Sequence, residues 1–171
     1  MSQLVVLIGA SGSGKTAIAA AIDQRFGHQI RVFYFDRMGV PPAARMIAEW
    51  GSMEAWQRAK TLDWIAKLAP ICALDQPVLF EGQTKLRFLA EAVQAAGITT
   101  CSPLLLDCDD ATRAQRLHEE RQQPELANPD MMNWADYLRR DARKRGCEIL
   151  DTSQIPLDPC VDFVMTRLTR T

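Results

Sequence analysis

The run Gly9-Ala10-Ser11-Gly12-Ser13-Gly14-Lys15-Thr16 ends on two reactive groups, the ammonium of Lys15 and the hydroxyl of Thr16. It meets the phosphate-binding spacing G-x-x-x-x-G-K-[ST] at every fixed position. A polyphosphate needs many N–H donors in a small space, and backbone without Cβ atoms can turn those donors inward. Gly9, Ser11, Gly12, Ser13 and Gly14 are therefore expected to cradle the phosphates of a nucleoside triphosphate. Lys15 would set its charge on the β- and γ-phosphates, and Thr16 would take a coordination site on Mg2+. Gly12-x-Gly14-x-x-Ala17 followed by Asp36 also loosely matches a dinucleotide fingerprint. Gly9 and the Lys15-Thr16 pair favour the triphosphate.

Such a loop must be held between a strand and a helix whose positive dipole end faces the anion. Leu4-Val5-Val6-Leu7-Ile8 is an apolar, β-branched run, and Ala17-Ile18-Ala19-Ala20-Ala21-Ile22 is a helix former ending near Gly27. Further strands are expected over 30–35, 77–80, 102–106 and 147–150. Between them, helices are expected over 43–50, from the Ser52 cap to Ala69 where Pro70 ends the helix, and over 84–96 and 110–120. Two more run from Asn128 or Asp130 to Arg145 and over 161–168. Strands alternating with helices imply parallel βαβ units in one α/β domain spanning 1–171.

Ligands of parallel sheets bind where strands end, and every expected strand here ends in polar residues. Asp36 follows the second, and its carboxylate would accept a proton from a substrate hydroxyl or hold Mg2+ through water; the alternative is a turn-forming aspartate. Glu81 follows the third, where an acidic residue supports Mg2+; the alternative is a solvated strand end. Asp107 follows the fourth and either acts in the site or ties down the next turn. Positive charge for a moving phosphoryl group is available from Arg113, Arg116 and Arg121 on one side of a polar loop and from Arg139, Arg140 and Arg143 on the other. Spacing sets Arg113 and Arg116 on one helical face. Trp50, Trp56 and Trp64, with Met38, Met46 and Met53, either line a substrate cleft or pack an inserted helix.

The 20 basic and 21 acidic residues nearly cancel, so no charge argument points to a nucleic-acid or membrane partner. No apolar stretch is long enough to span a bilayer, and the expectation is a cytoplasmic protein, monomer or homodimer. Five cysteines without a C-x-x-C pair suit buried reduced thiols.

These residues resemble the P-loop nucleoside, nucleotide and small-molecule kinases, a family that includes adenylate, shikimate, gluconate and chloramphenicol kinases. The likeness rests on Gly9 to Thr16, Asp36, Glu81-Gly82-Gln83, Leu105-Leu106-Asp107 followed by Arg113 and Arg116, and Leu150-Asp151-Thr152-Ser153. It implies a three-layer P-loop fold with a five-stranded parallel sheet in order 2-3-1-4-5. It also implies an acceptor-binding insertion over about 37–73 and a short lid over about 121–130. ATP and Mg2+ are implied, with Arg116 and Arg121 near the phosphates and Thr152 and Ser153 near the base. The expected activity is transfer of the γ-phosphoryl group of ATP to a small-molecule or nucleotide acceptor, with Lys15, Asp36, Glu81 and Arg116 as the catalytic set and Thr16 and Glu81 as metal ligands. The alternative is a nucleotide-binding regulatory protein that hydrolyses ATP slowly. Around Gly82 the chain departs from the acceptor signature of shikimate kinases, carrying Gln83, Lys85 and Arg87.

Overall fold

The computed structural model describes residues 3–74 and 76–169. β1 (Leu4–Ile8), β2 (Arg31–Tyr34), β3 (Val78–Gly82), β4 (Cys101–Asp107) and β5 (Glu148–Asp151) form one parallel sheet in the order β2-β3-β1-β4-β5. β1 lies at the centre and is buried at every position, which is why it reads as an unbroken apolar run rather than an alternating one. Leu4, Val6 and Ile8 pack toward α3 (Met53–Cys72), α4 (Leu86–Ala95) and α6 (Pro129–Arg145). Val5 and Leu7 pack toward α1 (Lys15–Phe26) and α7 (Leu157–Leu168). Helices on both faces give the three layers and leave the carboxyl ends of the strands open to ligand.

The remaining helices are α2 (Ala43–Trp50) and α5 (Asp110–Gln115). Side-chain caps fix several starts: Ser52 accepts from the Ala55 N–H at 3.0 Å, Asp109 from Thr112 at 2.7 Å and Asn128 from Met131 at 2.9 Å. Asn128, not Asp130, is thus the cap of α6.

Several expected boundaries move. α3 runs past Pro70 to Cys72, because a proline in the last turn removes one helical N–H while Ala73 still donates to the Ala69 carbonyl. α4 starts at Leu86 rather than Thr84, whose hydroxyl is instead bonded to Thr61 at 2.7 Å. β3 extends through Glu81 and Gly82, which pair with Leu7 and Ile8 of the central strand. The helix expected over 110–120 is α-helical only to Gln115 and continues as a π-turn over Arg116–Glu120. α7 begins four residues before Val161, at Leu157 after Pro156. No helix among the described residues is long and apolar enough to cross a membrane.

Candidate active site

The segment after β1 winds tightly enough for its backbone to form an anion cradle. At Gly9 an added Cβ would lie 2.4 Å from the Leu106 carbonyl oxygen, and Gly14, with φ of 94°, holds the left-handed turn that starts α1. Lys15 is 4% exposed; its Nζ donates to the Ala10 carbonyl at 3.3 Å and stands 3.8 Å from Oε1 of Glu81. The hydroxyl of Ser13 is fully buried with no hydrogen-bond partner among the described residues. An ammonium held mainly by a loop carbonyl, together with an orphaned hydroxyl, fits a loop that takes an oxyanion ligand.

Glu81 comes from the end of β3 and faces Lys15 across the loop. Burial pushes its carboxyl above the ordinary range, and the facing ammonium offsets only part of that. Burial likewise pulls Lys15 below the ordinary lysine range, against the pull of Glu81. Beyond β2 the chain tightens into a 3-10 turn over Phe35–Met38, so Asp36 lies on an exposed turn rather than a strand end. Its carboxylate has no hydrogen bond or ion pair among the described residues. Thr16, Tyr34, Asp36, Arg37, Glu81 and Arg121 surround one recess of about 320 Å3. Hydroxyl and carboxylate oxygens are hard donors that suit Mg2+, and among the described residues no cluster of His, Cys, Asp or Glu forms an all-protein metal cage. A few protein oxygens with the other ligands left to phosphate and water is the usual arrangement for Mg2+.

The arginines separate by task. Arg113, expected to act together with Arg116, is fully buried and donates to the Ser11 carbonyl at 2.8 Å, to Asp107 at 2.8 Å and to the Cys108 carbonyl at 3.2 Å. It holds the loop from beneath. Asp107 also receives Arg139 at 2.5 Å, so this carboxylate ties down structure, and Arg139 is no part of a free basic rim. Arg113→Leu is expected to cost about 3 kcal/mol of stability, because a buried carboxylate loses one of its two cations, read as a lower thermal midpoint. Arg140 pairs with Asp136. Arg116 donates to the Gly12 carbonyl at 3.2 Å and to the Thr152 hydroxyl at 2.9 Å and carbonyl at 2.7 Å. Arg121 is exposed and unpaired among the described residues, and it lines both the recess at Asp36 and a larger cleft of about 590 Å3.

That cleft runs from Gly12, Gly14 and Thr16 past Arg116 to Thr152. Thr152 is buried and its hydroxyl donates to the Ser13 carbonyl at 2.9 Å, so it braces the loop. Ser153 is turned away, bonded to the Asp109 N–H and to Asp151, and does not line the cleft. The far wall is Ile155, 39% exposed, with Pro156 and Leu157, 42% exposed. Sequence reasoning missed this apolar wall, although the triplet Ile155-Pro156-Leu157 just after a polar strand end was a readable signal. Of the Trp/Met set, Met46 and Trp56 are buried, Trp56 packing on Phe35 at 5.9 Å, while Trp50 and Met53 are exposed.

No family profile matches the chain, and no curated protein matches it. Solved structures do. A gluconokinase from Sinorhizobium meliloti matches with a TM-score of 0.66 at 20% identity over 99% of this chain and 93% of that one. A shikimate kinase from Acinetobacter baumannii, in complex with shikimate, matches at 0.63 and 12% identity over 97% and 92%. A deoxyadenosine kinase from M. mycoides matches at 0.57 and 9% identity over 97% and 98%. The chain therefore has the P-loop kinase fold, in the strand order that the sequence resemblance implies.

Proposed function

We propose that the chain is an ATP-dependent phosphotransferase that moves the γ-phosphoryl group of ATP to a small-molecule or nucleotide acceptor. The observation that carries this reading is the recess where Thr16, Asp36, Glu81 and Arg121 meet beside the buried Lys15. A site that only stored a nucleotide has no need of an unpaired carboxylate and an unpaired guanidinium facing the end of the phosphate cradle. Lys15 holds the β- and γ-phosphates, and the loop N–H groups from Gly9 to Thr16 cradle them. Mg2+, held by Thr16 and Glu81, would supply charge neutralisation on the phosphate oxygens. Asp36, exposed and unpaired, orients the acceptor hydroxyl and takes its proton. Arg121, reaching both hollows, stabilises charge on the group in transit, and Arg116 stands over the nucleotide side. The base lies against Ile155, Pro156 and Leu157, beside Thr152. In this reading 1–171 is one domain, 37–73 is the acceptor-binding insertion and 121–130 closes as a lid.

The test is ADP release from Mg·ATP with and without pooled hydroxyl-bearing metabolites. Release that depends on the pool supports the proposal; the same slow release in both supports a nucleotide-gated protein instead.

A further inference from the structure

We propose that Gln57, Gln83 and Ser11 form a relay that couples the acceptor insertion to the phosphate loop, with Gln83 as its positioning residue. The inference rests on the phosphotransfer reading above and adds to it the route by which one substrate site senses the other. The phosphate-binding spacing leaves the residue type at position 11 open, so phosphate contact does not require a hydroxyl there. The buried Ser11 hydroxyl accepts from Nε2 of Gln83 at 3.0 Å, across 72 residues of chain. The backbone carbonyl of Gln83 in turn accepts from Nε2 of Gln57 on α3 at 3.0 Å. From its other side Ser11 is fixed by Arg113, whose guanidinium donates to its carbonyl.

α3 therefore reaches the reacting centre by two arms. One is the Gln57–Gln83–Ser11 chain; the other is Trp64, whose Nε1 donates at 3.1 Å to the carbonyl of Phe35, next to Asp36. A shift of α3 on acceptor binding moves the loop that holds the phosphates and the turn that carries the carboxylate together. Because the chain of bonds ends on the loop that holds the phosphates, nucleotide affinity senses Gln57 although Gln57 lines neither the nucleotide cleft nor the recess at Asp36.

The experiment is calorimetric titration of the full chain with the non-hydrolysable analogue AMP-PNP and Mg2+, alongside the thermal midpoint without nucleotide. Gln83→Leu is expected to weaken binding about two- to tenfold, the range set by one lost hydrogen bond, and Ser11→Ala to match it. Gln57→Leu is expected to weaken binding alone and to add nothing in the Gln57→Leu/Gln83→Leu double variant. A merely structural contribution would lower the midpoint of each variant and leave the affinities independent. Unchanged affinity in Gln57→Leu, or losses that multiply in the double variant, overturns the relay alone. Failure of the unmodified chain to bind AMP-PNP overturns the phosphotransfer reading and the relay with it.

Discussion

Lys15→Met is expected to reduce phosphoryl transfer at least about 10³-fold, since it removes a preorganised, buried cation aimed at the transferring group. Methionine fills most of the space of the lysine's apolar stem, so the loop keeps most of its packing. The ammonium is buried and, among the described residues, is held by a hydrogen bond to the Ala10 carbonyl and by the facing Glu81 carboxylate. Little else in the fold depends on it. Its loss leaves Glu81 without its facing charge and drives that carboxyl further toward its protonated form. kcat/KM should collapse while circular dichroism stays that of the parent. Retention of transfer in Lys15→Met would remove lysine from the mechanism.

Glu81→Gln is expected to lower transfer about 10²-fold and to raise thermal stability at neutral pH. The activity loss follows from removing a charged ligand from the Mg2+ position proposed for Thr16 and Glu81. The stability gain follows from the direction of the pKa shift. Burial holds the carboxyl above its unfolded value even with Lys15 opposite, so the native chain binds this proton more tightly than the unfolded chain does. The stability contributed by the protonated form is complete below the unfolded pKa and is lost as pH rises through the folded one. Glutamine resembles the protonated form and does not titrate. The midpoint of the variant should therefore exceed that of the parent near pH 7, with the two converging toward pH 4. Melting curves across that range check the sign, and a variant less stable than its parent near pH 7 would show that the Lys15 pair outweighs the cost of burial.

The parallel sheet was legible because β1 and the apolar stretches of β3 and β4 are divided by helical periods, and the loop because its spacing is strict. What escaped depends on contacts remote in sequence. Arg113 and Arg116 look alike at three-residue spacing, yet Asp107 and the Ser11 carbonyl draw one fully inside while Thr152 and the Gly12 carbonyl hold the other at the cleft wall. The π-turn that begins at Arg116 has no signature in composition, because an α-helix and a π-turn use the same residues. Gln83 reads as a polar residue at a strand end; its bond to Ser11 exists only because β3 lies beside β1 in the sheet. Asp36 was found by type and position, but its setting on a 3-10 turn depends on Phe35 turning inward onto Trp56 and Phe80.

In the phosphotransfer reading the γ-phosphoryl group leaves ATP for an acceptor other than water. Incubation of the chain with Mg2+, γ-labelled ATP and pooled metabolites, followed by separation of the labelled species, tests it directly. Label is expected on a new small molecule that is absent when Lys15→Met replaces the parent. Label recovered only as inorganic phosphate, at a rate indifferent to the pool, would contradict it.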